Sequence, residues 1–418
     1  MKLSNYFSNF IVNEKKIIYL IFFLPISLLI GSSVANGIII LIIFLFLLEI
    51  FKNKKIDILK RKEIIIFLIF YIYLIMNSIF LTQTSDGLTR AIGFIRFPLL
   101  AFAIAYYFSV EEKKYQNRIL SVWFFVFIIV SIDILFEYFI GFNLIGIKST
   151  YSGRIASFTG DELKIGGFYF GFMLLAISFI NNNFKKYNIA FLVFFLVVCL
   201  SIGERSNFIK VIIMTSFLFL FIDEKTILKK LSILGVLFLF FLILINLSGN
   251  TTFKKRFFKQ IYVENKDIKS LIHYNRHIAH YTTAIEIFKK NIFFGVGIKN
   301  FRNVSYKKEY FPYYNFVADR EMHLNFIGGS THPHQVHFEI LSELGLVGYL
   351  YLFGVLIYFI TRGLKTYIKK NENFLNLCSS LFIITSILPL LPSGSFFTSY
   401  SATIFWINFS FLLRKDSF

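Results

Sequence analysis

Gly37-Ile38-Ile39-Ile40-Leu41-Ile42-Ile43-Phe44-Leu45-Phe46-Leu47-Leu48-Glu49-Ile50-Phe51-Lys52-Asn53-Lys54-Lys55 is a long apolar run that stops abruptly in lysines. A bilayer core about 30 Å thick needs roughly 20 apolar helical residues to cross it. Within hydrocarbon, a segment must pair its own backbone N–H and C=O groups, and a helix does so. The run before it, Ile17 to Ile30, has no small-residue cleavage site behind it and passes at once into the next. It reads as a retained helix, not a removed signal peptide. Apolar runs and short polar breaks alternate along most of the chain. The 418 residues are 56% hydrophobic with a mean hydropathy of +0.67, more apolar surface than a soluble domain can hide.

The fold class that follows is an all-α polytopic membrane protein. About twelve spans are long enough, near 17–34, 36–51, 64–81, 88–108, 119–140, 165–181, 188–202, 207–222, 229–247, 335–361, 374–391 and 396–413. Alternate loops are basic: Lys52 to Lys62, then Lys113, Lys114 and Arg118, then Lys185 and Lys186, then Lys225, Lys229 and Lys230, then Arg362 to Lys370. The positive-inside rule puts these loops and both termini in the cytoplasm. Much of the net charge of +20 is therefore topological, and no nucleic acid partner is implied. The chain divides into nine spans over 1–247, a large outer loop over 248–334 and three spans over 335–418. That loop is basic too, with Lys254, Lys255, Arg256, Lys259, Lys266, Lys269 and Arg276. Topology does not demand positive charge outside, whereas an anionic substrate or lipid headgroup would explain it. Cys199 and Cys378 lie in apolar runs and indicate neither a disulfide framework nor a thiolate metal site.

All seven histidines fall between His273 and His337. Imidazole is the side chain best suited to proton transfer near neutral pH, so this window is the candidate active site. Its sharpest motif is Thr331-His332-Pro333-His334-Gln335-Val336-His337. Pro333 suits the first turn of a helix, which would place His334 at the positive end of a helix dipole and keep it neutral, as a general base requires. Gly345 and Gly348 would return to nearly the same helix face and let a neighbouring helix approach. A plain helix-capping histidine is the competing reading. His332, His334 and His337 also have a spacing open to metal, but no Asp or Cys ligand stands in a recognised frame beside them.

Three arginines break the charge pattern. Arg205 lies in Gly203-Glu204-Arg205-Ser206-Asn207 at the outer mouth between two spans, with Lys210 about one turn deeper. A guanidinium fork suits phosphate oxygens, and interfacial snorkelling beside Glu204 is the alternative. Arg96, inside an apolar run, and Arg154, in Ser152-Gly153-Arg154, read first as partners for Asp133 or Glu137. Arg276 sits in His273-Tyr274-Asn275-Arg276-His277 and is otherwise one basic residue among many.

Together these residues resemble the O-antigen ligase and O-antigen polymerase superfamily of bacterial envelope enzymes. The ligase pattern is His, then Asn, Ser or Gln, nine residues, Gly, two residues, then Gly, Thr or Tyr. His334-Gln335, Gly345 and Gly348 follow it. Gly203-Glu204-Arg205 resembles the family's first arginine, and Arg276 with Ala284 and Gly295-Val296-Gly297 resembles its second. Ser152-Gly153-Arg154 and Leu391-Pro392-Ser393-Gly394-Ser395-Phe396 are similar as well. The resemblance implies a twelve-helix fold akin to the polyprenyl-dependent (GT-C-like) glycosyltransferases, set among the lipids of the bacterial inner membrane with its active site facing the periplasm. It implies inverting, metal-independent glycan transfer from an undecaprenyl diphosphate donor, to lipid A-core in ligases or to another lipid-linked repeat unit in polymerases. No cofactor is implied. His334, Arg205 and Arg276 would be catalytic. Lys210, Gln335, His337, His332 and Arg154 would bind substrate, and Gly345 and Gly348 would be structural. A lipid-glycan transporter and a metal-uptake protein are the rival classes.

Overall fold

The computed structural model describes residues 14–222 apart from 83, 111, 112, 161 and 163, residues 276–310, residues 329–414 apart from 371 and 372, and isolated positions between 226 and 243. The described residues are helical with no strand among them. In chain order the helices are α1 (Glu14–Phe22), α2 (Leu24–Ile30), α3 (Ser32–Lys52), α4 (Lys62–Leu81), α5 (Ser85–Phe94), α6 (Arg96–Val110), α7 (Lys113–Ile140), α8 (Ile165–Asn183), α9 (Asn188–Ser201), α10 (Arg205–Ile222), α11 (Arg276–Lys290), α12 (Phe301–Val304), α13 (Val336–Lys370), α14 (Phe374–Ser386) and α15 (Ser399–Ser410).

Six helical segments are long and apolar enough to cross a membrane: Ser32–Lys52, Lys62–Leu81, Ser85–Ser109, Tyr115–Ile140, Ile165–Asn183 and Val336–Lys369. Two shorter apolar helices, Phe374–Ser386 and Ser399–Leu413, pack among them. The chain is thus a helical membrane protein. The expected first span, 17–34, is instead two short helices. Pro25 opens the second, because it cannot continue the helix before it. The expected span 88–108 is broken at Ile95 into α5 and α6, and Arg96 donates to the Gly93 carbonyl across the break. The expected span 229–247 falls mostly outside the described residues.

Aromatic rings knit the bundle. Phe67 of α4 meets Phe102, Phe359, Trp406 and Phe409 at centroid separations of 5.1–6.0 Å, joining four helices. Asp133 and Glu137 of α7 are buried but pair with neither Arg96 nor Arg154. Asp133 accepts from the Leu144 N–H (2.7 Å) and the Ser157 hydroxyl, and Glu137 accepts from the Ser157 N–H (2.7 Å). The carboxylates therefore fold down the loop that carries Arg154.

The glycine expectation needs revision. Gly345 is not part of a smooth stripe, for it takes φ 65°, ψ −169° and breaks α13. That region of backbone space belongs essentially to glycine. The break frees the carbonyls of Ser342 and Glu343 and the N–H groups of Leu346 and Val347, and the turn at 292–297 takes up all four. Val296 and Gly297 donate to the two carbonyls at 3.0 and 2.9 Å. Ile292 and Phe293 accept from the two N–H groups at 2.7 and 3.1 Å. A Cβ on Gly345 would enter the backbone of Phe293 and Phe294. At Gly348 a Cβ would meet the Leu344 side chain at 2.6 Å and the Tyr73 ring of α4 at 2.9 Å. Gly345→Ala should cost about 1–3 kcal/mol from backbone strain alone. It should lower the thermal midpoint measured by fluorescence size-exclusion in detergent, whereas Gly354→Ala, with open space at its Cβ, should not.

Candidate active site

The loops at one end of the bundle enclose a cavity of about 740 Å³, within the usual range for ligand sites. Four segments converge on it, joined in two pairs by backbone contacts. The Ile155 N–H donates to the Ile202 carbonyl (3.0 Å), and a Cβ on Gly203 would strike the Gly153 carbonyl. Ser152-Gly153-Arg154 is thereby laid against Gly203-Glu204-Arg205. The Ser393 N–H donates to the His334 carbonyl (2.7 Å), fixing the loop between α14 and α15 beside the histidine motif.

His334 lies two residues before α13, not inside it, with φ +60°. That left-handed conformation is uncommon outside glycine, though histidine is among the residues enriched in it. Gln335 takes the capping position instead. Its Oε1 accepts from the Phe338 N–H (3.1 Å) and its Nε2 donates to the Leu388 carbonyl (3.3 Å). At 1% exposure it supports the helix start and does not line the cavity. His337 is also structural, with Nδ1 at 2.9 Å from the Tyr349 hydroxyl and Nε2 at 2.7 Å from the Ile387 carbonyl. The Ile387 oxygen can only accept, which assigns the proton to Nε2.

His334 is ringed by imidazoles: His332 at 4.1 Å, His277 at 5.3 Å and His280 at 5.5 Å between centroids. Among the described residues no group of metal-binding side chains is arranged to hold an ion. What keeps His334 neutral is not the helix dipole but burial first, then the charges of His280 and His277, which lower its pKa to about 4. Burial pushes His332 down to about 2, with His334 and Lys299 adding to the effect. Burial also lowers His277, helped by the charges of Arg205 and Arg154.

Cations line the same cavity as His277, His332 and His334. Arg154 lines it, and its Nε is buried without a partner among the described residues. Lys210, 3% exposed, donates to the Pro392 carbonyl at 2.8 Å. Lys164 is paired with Glu162 and lies 5.3 Å from the Tyr400 ring centroid. Arg205 begins α10 next to the cavity and is not among its lining residues. Arg276 begins α11, directly before His277, and its side chain lies outside the described residues. His273 lies outside them as well.

The sequence places His277 and His280 in the histidine window without giving either a role, and it passes over Lys164. The two histidines sit three residues apart next to Arg276, which on a helix is one face. That spacing was available as a signal. Nothing in the sequence around Lys164 marks it.

With this geometry in place, comparison with known proteins is informative. Residues 189–353 match the O-antigen ligase family. The matched stretch holds Arg205, Lys210, Arg276, the four clustered histidines and the broken part of α13, and it supports the resemblance to the O-antigen ligase superfamily. Arg154 and Lys164 lie outside it. No curated protein matches the chain.

Proposed function

We propose that this chain, whose matched stretch points to O-antigen ligase or polymerase-type glycan transfer, is an O-antigen ligase of the bacterial inner membrane. The observation that carries the reading is one cavity holding a neutral imidazole opposite arginine and lysine side chains. His334 takes the proton of an acceptor hydroxyl on lipid A-core. If its Nε2–H donates to Ser330, 3.1 Å away, Nδ1 carries the free lone pair. The acceptor oxygen attacks the anomeric carbon of the lipid-linked glycan from the face opposite the diphosphate. The bond from that carbon to the diphosphate oxygen breaks, the configuration inverts, and undecaprenyl diphosphate leaves. Arg154, Arg205, Arg276 and Lys210 meet the negative charge that grows on it. The donor is already activated, so the chemistry needs no nucleotide.

The topology supports a periplasmic site. Arg362 pairs with Glu63 at 3.1 Å about 26 residues along α13 from His334's end, roughly 40 Å of helix. The basic, cytoplasm-like end of the bundle is therefore far from the histidines. The large periplasmic loop over 248–334 would then stand above the membrane spans on either side of it.

Deleting the gene and running lipopolysaccharide on a gel separates ligase from polymerase. Loss of a ligase leaves bare core and accumulated lipid-linked polymer. Core bearing a single repeat unit would assign a polymerase instead.

A further inference from the structure

The loop at 391–401 contributes several hydroxyls to the cavity, and most are occupied by the protein itself. Ser395 donates to Glu339, Thr398 donates to the Ser395 carbonyl at 2.9 Å, and Ser399 accepts from Arg96 at 3.1 Å. Ser393 differs. It lines the cavity, and its Oγ is buried with no partner among the described residues. Its position is fixed from both sides. Its own N–H holds the His334 carbonyl at 2.7 Å, and the preceding carbonyl, of Pro392, holds Lys210 at 2.8 Å. A buried hydroxyl left unsatisfied costs about 1–3 kcal/mol. A ligand that supplies a partner removes that cost.

The hydroxyl is neutral, and its residue is tied by backbone bonds to His334 on one side and, through Pro392, to Lys210 on the other. A phosphate at that place would be met by the neighbouring Lys210, which carries the charge, whereas a hydroxyl can both donate to and accept from another hydroxyl. A sugar ring that brings one hydroxyl to His334 carries a second on the adjacent carbon, and Ser393 lines the same cavity on a residue bonded to His334's backbone. We propose that Ser393 is a specificity-determining residue that binds a hydroxyl of the acceptor sugar next to the one that reacts. This rests on the glycan-transfer reading above.

The test uses full-length protein in proteoliposomes with undecaprenyl diphosphate-linked glycan and purified lipid A-core. Ser393→Ala keeps the N–H that holds His334 and removes only the hydroxyl. The acceptor KM should rise about 5- to 150-fold, the range equivalent to about 1–3 kcal/mol. The donor KM and the acid limb of the pH profile should stay at their wild-type values. Ser393→Thr should recover most of the acceptor affinity. An unchanged acceptor KM in Ser393→Ala, or a rise in donor KM alone, overturns the assignment while wild-type transfer leaves the general reading standing. Absence of transfer by the wild-type protein overturns both.

Discussion

His334→Ala is expected to reduce glycan transfer by about 10²–10⁴-fold, the usual contribution of a positioned general base. Inserted, folded protein should remain at wild-type abundance. Among the described residues the His334 ring bonds only Ser330 besides its contacts with other imidazoles, while the backbone of residue 334 makes the structural bond to Ser393. An alanine keeps that backbone bond, although it must hold the left-handed conformation. The pH profile supplies an independent check. With its pKa lowered to about 4, His334 is unprotonated at pH 7 and becomes imidazolium only as pH falls through about 4. Transfer should therefore persist at pH 5, where an ordinary histidine with a pKa near 6.5 would be mostly charged. The unfolded chain takes up these protons from about pH 6.5 downward, so folding stability drops as the pH falls from there towards 4. Initial rates must accordingly be read before unfolding. Loss of activity centred at pH 6.5, or a His334→Ala protein with wild-type rate, would show that another group takes the proton.

Arg205→Ala is expected to cost about 10²–10³ in rate, by analogy with loss of one donor that stabilises developing negative charge. The loss should appear in kcat as well as in kcat/KM, because the charge it meets grows as the diphosphate departs. Arg205→Lys should recover only part of it, since an ammonium cannot copy the two-pronged guanidinium contact. Arg205 and Arg154 act together on His277. Removing either charge should make His277 easier to protonate, and chemical-shift titration of a labelled imidazole would read that directly. A wild-type rate in Arg205→Ala would return this residue to a plain interfacial anchor beside Glu204.

The membrane character of the chain was legible because hydrocarbon enforces long apolar runs, as in Ser32–Lys52 and Ile165–Asn183. Helix breaks were less legible. Pro25 was visible, but the interruption at Ile95 comes from tertiary contacts that leave no local signature. The histidine window leads to the cavity that His277, His332 and His334 line together with Lys210, while Arg205 stands beside that cavity and outside its lining. The environment of His334 was misread for a definite reason. Pro333 suggested a helix starting at the histidines, whereas the capping contact of Gln335 starts it at Val336. His337 and Gln335 looked like substrate groups because polarity in a motif does not reveal whether the partner is a ligand or a carbonyl of the same protein. Arg154 carries two readings in the sequence, a partner for Asp133 or Glu137 and a substrate group, and the first is removed because those carboxylates are engaged by the backbone and side chain of its own loop.

The bonds at Gly345 connect α13 to the turn at 292–297 through main-chain groups alone, so the two cannot slide past one another without losing four hydrogen bonds. That turn leads directly out of α11, which carries His277 and His280. A helix that tilts to match a thicker or thinner bilayer must therefore carry two of the imidazoles around His334 with it. Reconstitution in lipids of graded chain length is expected to register that linkage as graded turnover.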